Sequence, residues 1–225
     1  MPNSTASCIQ RLASILAGLM LGVVFIGSGG AQSQGPVLNS PHAPSPGDAR
    51  SVKFNEQTIT FVYSGREGSL NCWSVKSSNG NAGRDCRTVE GNLVSRQGAV
   101  WIPIEFRPHL GMFAFPMFVG KQWEHSYTSQ NGVEGTRNVT RKASVVSYEK
   151  LTVAAGTFDV FKIQATISWW GGNLQDAAGS ASGMLGANQW GGAARQQTYY
   201  YSEKVGLVKF DGGFERLELL TSSVQ

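Results

Sequence analysis

From Ser51 onward the chain alternates apolar and polar residues with a period of two, broken at intervals by Gly and Asn. Ile59, Phe61 and Tyr63 share a face opposite Thr58 and Thr60. Trp123, His125 and Tyr127 alternate with Gln122, Glu124 and Ser126. The clearest run sets Phe161, Ile163, Ala165, Ile167 and Trp169 against Lys162, Gln164, Thr166 and Ser168. Such alternation predicts half-buried antiparallel strands, apolar on one face and solvated on the other. Asn131-Gly132 is a hairpin signal between the Trp123 strand and a strand over Val139–Tyr148, and Ala155-Gly156-Thr157 and Asp211-Gly212-Gly213 read as further tight turns. No segment of this region carries a helical period. The runs predict an all-β fold of about nine strands, an antiparallel β-barrel or a strongly curved half-barrel, because sheets of that size close or roll up to hide their edges.

The N-terminal region differs. Arg11 precedes an apolar run from Leu12 to Gly27, and small residues follow at Ser28, Gly29, Gly30, Ala31 and Ser33. That order predicts a secretory signal peptide over residues 1–33. Apolar signal cores run about 7–15 residues and spanning helices need roughly 17–25, so an uncleaved anchor stays open. Residues 34–50, with Pro36, Pro41, Pro44 and Pro46 among Gly and Ser, read as an extended linker with little to bury, and His42 within it as solvated. Residues 51–225 then form a single β domain, interrupted by a Gly-rich insertion at 171–195. A connection of that length inside a compact domain is functional or disordered. One reading is a lid or membrane-touching loop in which Trp169, Trp170 and Trp190 guard a cavity mouth. The plainer one is a mobile insertion between two strands.

Export gives the cysteines a meaning. Cys8 leaves with the signal, and no cysteine occupies a lipoprotein position near the cleavage region. Cys72 and Cys86 remain in an oxidising compartment, where a disulfide is the default. A three-residue loop, Ser78-Asn79-Gly80, with Gly80 left-handed, places them directly opposite each other on an antiparallel pair. The charge is mild: nineteen Lys and Arg against fifteen Asp and Glu, with only Arg11 in the signal. The basic residues are scattered and not interleaved with aromatics, so no nucleic-acid footprint is present, while contact with an anionic membrane surface stays open.

Catalytic patterns are lacking. There is no Gly-x-Ser-x-Gly elbow, no phosphate-binding Gly loop with Gly-Lys-Ser/Thr, and no His-x-x-x-His or Asp-rich loop, so neither metal nor cofactor is expected. His109 and His125 are sixteen residues apart. His125 shares the aromatic face of its strand and reads as a partly buried, hydrogen-bonded histidine. Nothing in the spacing of Glu105, Asp159 and Asp176 pairs two carboxylates. A transmembrane barrel would need outward apolar faces of about ten residues per strand, and only the Phe158–Trp170 strand is long and apolar enough.

Three motifs carry a resemblance. They are Phe115-Pro116-Met117-Phe118-Val119-Gly120-Lys121-Gln122-Trp123, then Val153-Ala154-Ala155-Gly156-Thr157-Phe158, then Tyr199-Tyr200-Tyr201 ahead of Val205-Gly206-Leu207-Val208-Lys209. In this order the chain from Phe115 to Lys209 resembles the exported bacterial β-proteins grouped as domain of unknown function 3108. Ala154 stands where that family has Pro, and Tyr200 where it has Trp. The resemblance implies a Gram-negative periplasmic or envelope protein with a curved sheet or barrel, and it supplies no catalytic residue. Gly156 and Gly120 have structural explanations of their own, as turn positions.

Binding is what remains. Six Trp, six Tyr and eleven Phe lie mostly on strands, and a barrel can fill its interior or enclose an apolar ligand. The expected ligand is a lipid or other apolar envelope molecule against Trp123, Tyr127, Phe161, Ile163 and Trp169, with Trp170 and Trp190 at the lid. The alternative is a structural or interaction module of the envelope that holds a protein partner without a small ligand, and a third reading is an enzyme of unrecognised type acting on glycan or lipid. Oligomeric state is open.

Overall fold

A computed structural model describes residues 35–171 and 193–223. The signal segment, the anchor alternative, Trp190 and most of the Gly-rich insertion lie outside the described residues. Twelve strands follow one another: β1 (Ala49–Phe54), β2 (Gln57–Glu67), β3 (Leu70–Ser77), β4 (Ala82–Arg87), β5 (Leu93–Gly98), β6 (Trp101–Arg107), β7 (Gln122–Asn131), β8 (Gly135–Val153), β9 (Gly156–Gly171), β10 (Ala193–Ser202), β11 (Gly206–Asp211) and β12 (Arg216–Ser222). Each pairs antiparallel with the next, and β1 pairs with β12, so the sheet is a closed barrel without a free edge.

Twelve strands replace the expected nine or so, and β5, paired beside β4, shows one reason the count fell short. Asp85 and Arg87 on β4 and Arg96 on β5 occupy buried or half-buried positions where the pattern calls for apolar residues. A buried ion cluster thus hides the period-two signal. These strands also meet at Gly83 and Gly98, where a Cβ on Gly83 would lie 2.3 Å from the Gln97 carbonyl oxygen. Only glycine permits that approach.

Elsewhere the expected turns form. The β3–β4 hairpin turns through Gly80 at φ +84°, and Cys72 lies opposite Cys86 with Cα atoms 4.2 Å apart, joined by a disulfide. Asn131 Oδ1 accepts from the Val133 and Glu134 amides in the β7–β8 turn. The β8–β9 hairpin is the longest pair in the barrel, and its tip reaches the β11–β12 seam. The β11–β12 register extends only from Asp211↔Arg216 to Lys209↔Glu218. Beyond it the Ala155 amide donates to the Leu219 carbonyl at 3.3 Å, and Val153 and Val160 share a buried cluster with Val208 and Leu219.

Because the barrel is a meander, its turns alternate between two ends. One end is plugged by the β6–β7 connection, residues 108–121, in which Met112, Phe113 and Met117 are buried. Inward side chains hold its backbone. Asn92 donates to the Phe113 carbonyl at 3.0 Å and accepts from the Phe113 amide at 2.8 Å. Trp123 Nε1 donates to the Gly111 carbonyl and Arg141 Nε to the Leu110 carbonyl, both at 3.1 Å. The stretch expected to be a linker with little to bury joins this plug. Leu38 is buried and exchanges two backbone hydrogen bonds with Met117, at 2.9 and 2.7 Å. His42, expected to be solvated, is only partly exposed, with Nε2 3.6 Å from an Asp48 carboxylate oxygen. Proline-rich composition hides a single apolar anchor.

Removing the Asn92 side chain strands two buried backbone groups, each costing about 1–3 kcal/mol when unpaired. Asn92→Ala should therefore lower stability by about 2 kcal/mol and raise hydrogen exchange at the Phe113 amide. Unchanged exchange there would mean that the plug is held without Asn92.

Candidate functional site: a cationic cavity in the barrel lumen

A cavity of about 500 Å³ occupies the lumen, lined from every strand except β3. Its volume falls within the range of small-molecule sites. Asn55, Val100, Asn131 and Glu215 border it and all belong to turns or strand ends at the end opposite the plug, so the cavity opens there. β9 ends and β10 begins at this same end. The walls are largely apolar: Val52, Phe54, Leu93, Ile104, Phe106 and Leu217 are among them.

Four arginines also reach the cavity: Arg50, Arg87, Arg96 and Arg141. Asp85, fully buried beside it, binds two of them. Arg96 donates Nε to Oδ1 and Nη2 to Oδ2, both at 2.8 Å, and Arg87 donates Nη2 to Oδ2 at 3.0 Å. Burial alone would raise the Asp85 pKa, but Arg96 and then Arg87 hold it below the usual carboxylate range. Arg96 also stacks on Trp101, 3.9 Å from the ring centroid.

Among the described residues Arg50 has no carboxylate of its own. Its guanidinium lies 5.3 Å from the Phe61 ring and 5.1 Å from the Trp73 ring, and its Nε has no hydrogen-bond partner. Enclosure by protein, with Arg87 close by, lowers its pKa to about 9, so it stays charged at neutral pH. Arg141, 1% exposed, bonds neutral groups: the Leu110 carbonyl, Gln197 at 3.3 Å and the Tyr199 hydroxyl at 2.8 Å. Burial pushes the Tyr127 and Tyr199 phenols up against the pull of Arg141, so both remain neutral and leave its charge uncompensated.

The structure divides the residues that the sequence singled out for a ligand. Tyr127 lines the cavity, buried and edge-on to Phe106 at 5.9 Å. Phe161 and Ile163, at 2% and 0% exposure, are packed core, and Trp123 and Trp169 are half-buried against the same cluster. Trp170 is exposed. The arginines were missed, although a signal existed. Once Cys72 and Cys86 fix the register, Trp73 falls opposite Asp85 and Asn71 opposite Arg87, which places both charges on the face of Trp73.

The histidines come together without forming a site. His109 and His125 stack with centroids 4.3 Å apart; His125 Nε2 lies 2.9 Å from the His109 carbonyl, and His109 Nδ1 accepts from the Gly111 amide. Burial, then His125, lowers the His109 pKa. Among the described residues no three His, Cys, Asp or Glu gather as a metal site, and no helix is long and apolar enough to cross a membrane. The outward positions of β7–β9 are mostly polar, with Glu124 and Lys142 paired at 3.5 Å and Ser126 bonded to Thr140, while Val146, Tyr148 and Trp170 stand exposed among them.

Fold and site define a closed twelve-stranded meander barrel with a plugged end and a cationic lumen. No family model and no curated protein matches the chain. Solved structures do resemble it. The hypothetical lipoprotein YmcC of Escherichia coli is 13% identical, with 80% of this chain and 85% of that chain covered and a TM-score of 0.49. A protein described as exported, with a YmcC-like fold, from Bacteroides fragilis is 10% identical, covering 84% and 100% at 0.46. A protein described as a lipoprotein from Parabacteroides distasonis is 13% identical, covering 83% and 99% at 0.44. At such identities the likeness concerns fold alone.

Proposed function

We propose that this chain is an exported, non-catalytic protein of the bacterial envelope whose barrel lumen holds a lipid or other apolar small molecule. The carrying observation is the cavity of about 500 Å³, walled by apolar side chains and open at one end. Export is supported by the apolar segment behind Arg11 and by the Cys72–Cys86 disulfide, which suits an oxidising compartment such as the periplasm. The resemblance of Phe115 to Lys209 to the domain of unknown function 3108 proteins points the same way. The alternative, an envelope interaction module without a small ligand, has in its favour Phe214 and Ile102, which stand 78% and 55% exposed near the cavity mouth.

Native mass spectrometry of the protein purified from its own periplasm, followed by solvent extraction, separates the two. The expected result is a stoichiometric small-molecule adduct. A clean apo mass with Cys72 and Cys86 oxidised would overturn the carrier reading and favour a protein partner.

A further inference from the structure

The lumen contains more positive charge than its own acids neutralise. Arg50, Arg87, Arg96 and Arg141 face the cavity against buried Asp85 and Glu215, an exposed residue at the mouth. Even with both acids counted, two positive charges remain. Uncompensated charge in a protein interior costs several kcal/mol per ion, and hydrogen bonds to neutral groups recover only part of it. A purely apolar ligand would leave that cost in place. An anion would remove it.

The position of the charges gives the ligand a polarity. Along β1 the successive inward residues are Arg50, Val52 and Phe54, before Asn55 at the mouth. Arg50 therefore lies about 17 Å of strand from Asn55, at a strand rise of roughly 3.4 Å per residue. Arg87, at the plug end of β4, comes beside it: both guanidiniums lie over the Phe61 ring, at 5.3 and 5.9 Å. Among the described residues neither Arg50 Nε nor Arg87 Nε has a hydrogen-bond partner, and Arg87 is 8% exposed. Between this pair and the mouth lie Phe210, Leu217 and Trp101 with the β1 residues.

We propose that the lumen takes an amphipathic anion head first, with a carboxylate or phosphate on Arg50 and Arg87 and an apolar tail along β1, β11 and β12 toward the mouth. This rests on the lumen-binding reading above. Arg96 is held by both Asp85 oxygens and braces the pair. Planar guanidiniums suit either oxyanion, because their N–H groups match two oxygens at once.

The test is isothermal titration calorimetry of the full chain, stripped of bound molecules on a hydrophobic resin, with laurate, dodecyl phosphate and dodecanol. These probes share a tail and differ in the head. Both anions should bind at least about tenfold more tightly than dodecanol, the scale of one charge-assisted contact in a desolvated site. Arg50→Met should abolish that preference while keeping dodecanol binding. Its fold is expected to survive, since Arg50 meets the rings of Phe61 and Trp73 rather than a hydrogen-bonding partner. Should this variant misfold, the comparison of heads on the unmodified protein still decides. Tighter binding of laurate indicates a carboxylate head, and tighter binding of dodecyl phosphate a phosphate head; either ranking supports the proposal when both exceed dodecanol. Equal binding of all three probes would overturn the anion site and leave the lumen reading standing. Binding of none would overturn both.

Discussion

Asp85→Asn should cost the barrel about 3–5 kcal/mol, the usual loss when one member of a buried ion cluster is removed and its partners stay charged. Arg87 and Arg96 would then face each other and Arg50 without a counter-charge, at positions where 8% or less of Arg87 meets solvent. For a barrel of this size the melting temperature should fall by roughly 10 °C. The pH dependence carries a sign. The folded Asp85 pKa is depressed below 3.8, so its stabilisation is complete above that value and is lost as pH falls through the folded pKa. The gap between wild type and variant should be constant near neutral pH and close only in strong acid. Thermal unfolding across pH measures it. A gap below about 1 kcal/mol at neutral pH would mean that the arginines do not depend on Asp85.

Replacing both Cys72 and Cys86 by serine should lower stability by about 3 kcal/mol, the chain-entropy value for a loop of this length. The sequence separation is 14 residues, and the bond ties β3 to β4 directly beside Asp85. The loss should therefore reach beyond the hairpin, because the register that sets Trp73 opposite Asp85 is pinned there. Chemical denaturation with and without reductant measures it. Equal midpoints for oxidised, reduced and serine forms would exclude a stabilising bridge. This substitution and Asp85→Asn are close enough in space to couple, so their combined loss should differ from the sum.

The sequence announces the strands whose inner face is apolar and hides those whose inner face is charged. β7 to β9 were legible because Tyr127, Val139, Phe161 and Ile163 are all buried on the inner face of the barrel, which enforces strict alternation. β4 was placed only through the cysteine pairing and β5 was not placed, because Asp85, Arg87 and Arg96 satisfy one another inside and so look like surface residues in one dimension. The same inversion explains the site. The apolar strand face drew attention to Phe161 and Ile163, which are packed core, while the charges that give the cavity its chemistry resembled solvated positions. The plug was illegible for another reason: residues 108–121 have no period, and the partner of Met117, Leu38, comes from a segment that composition assigns to a linker.

The pairing of β1 with β12 has a temporal consequence. Every other ladder joins neighbours in sequence, but Arg50 meets Ser222, nearly the full length of the domain away. Loop closure over such a distance comes late, and contacts of this kind slow folding. While the chain emerges from a ribosome or a translocation pore, the first strand has only one of its two partners. The half-made sheet then presents two open hydrogen-bonding edges at once. The barrel is thus completed in a single late act, when its final strand arrives, and until that moment the chain is open to whatever holds or escorts unfinished sheets.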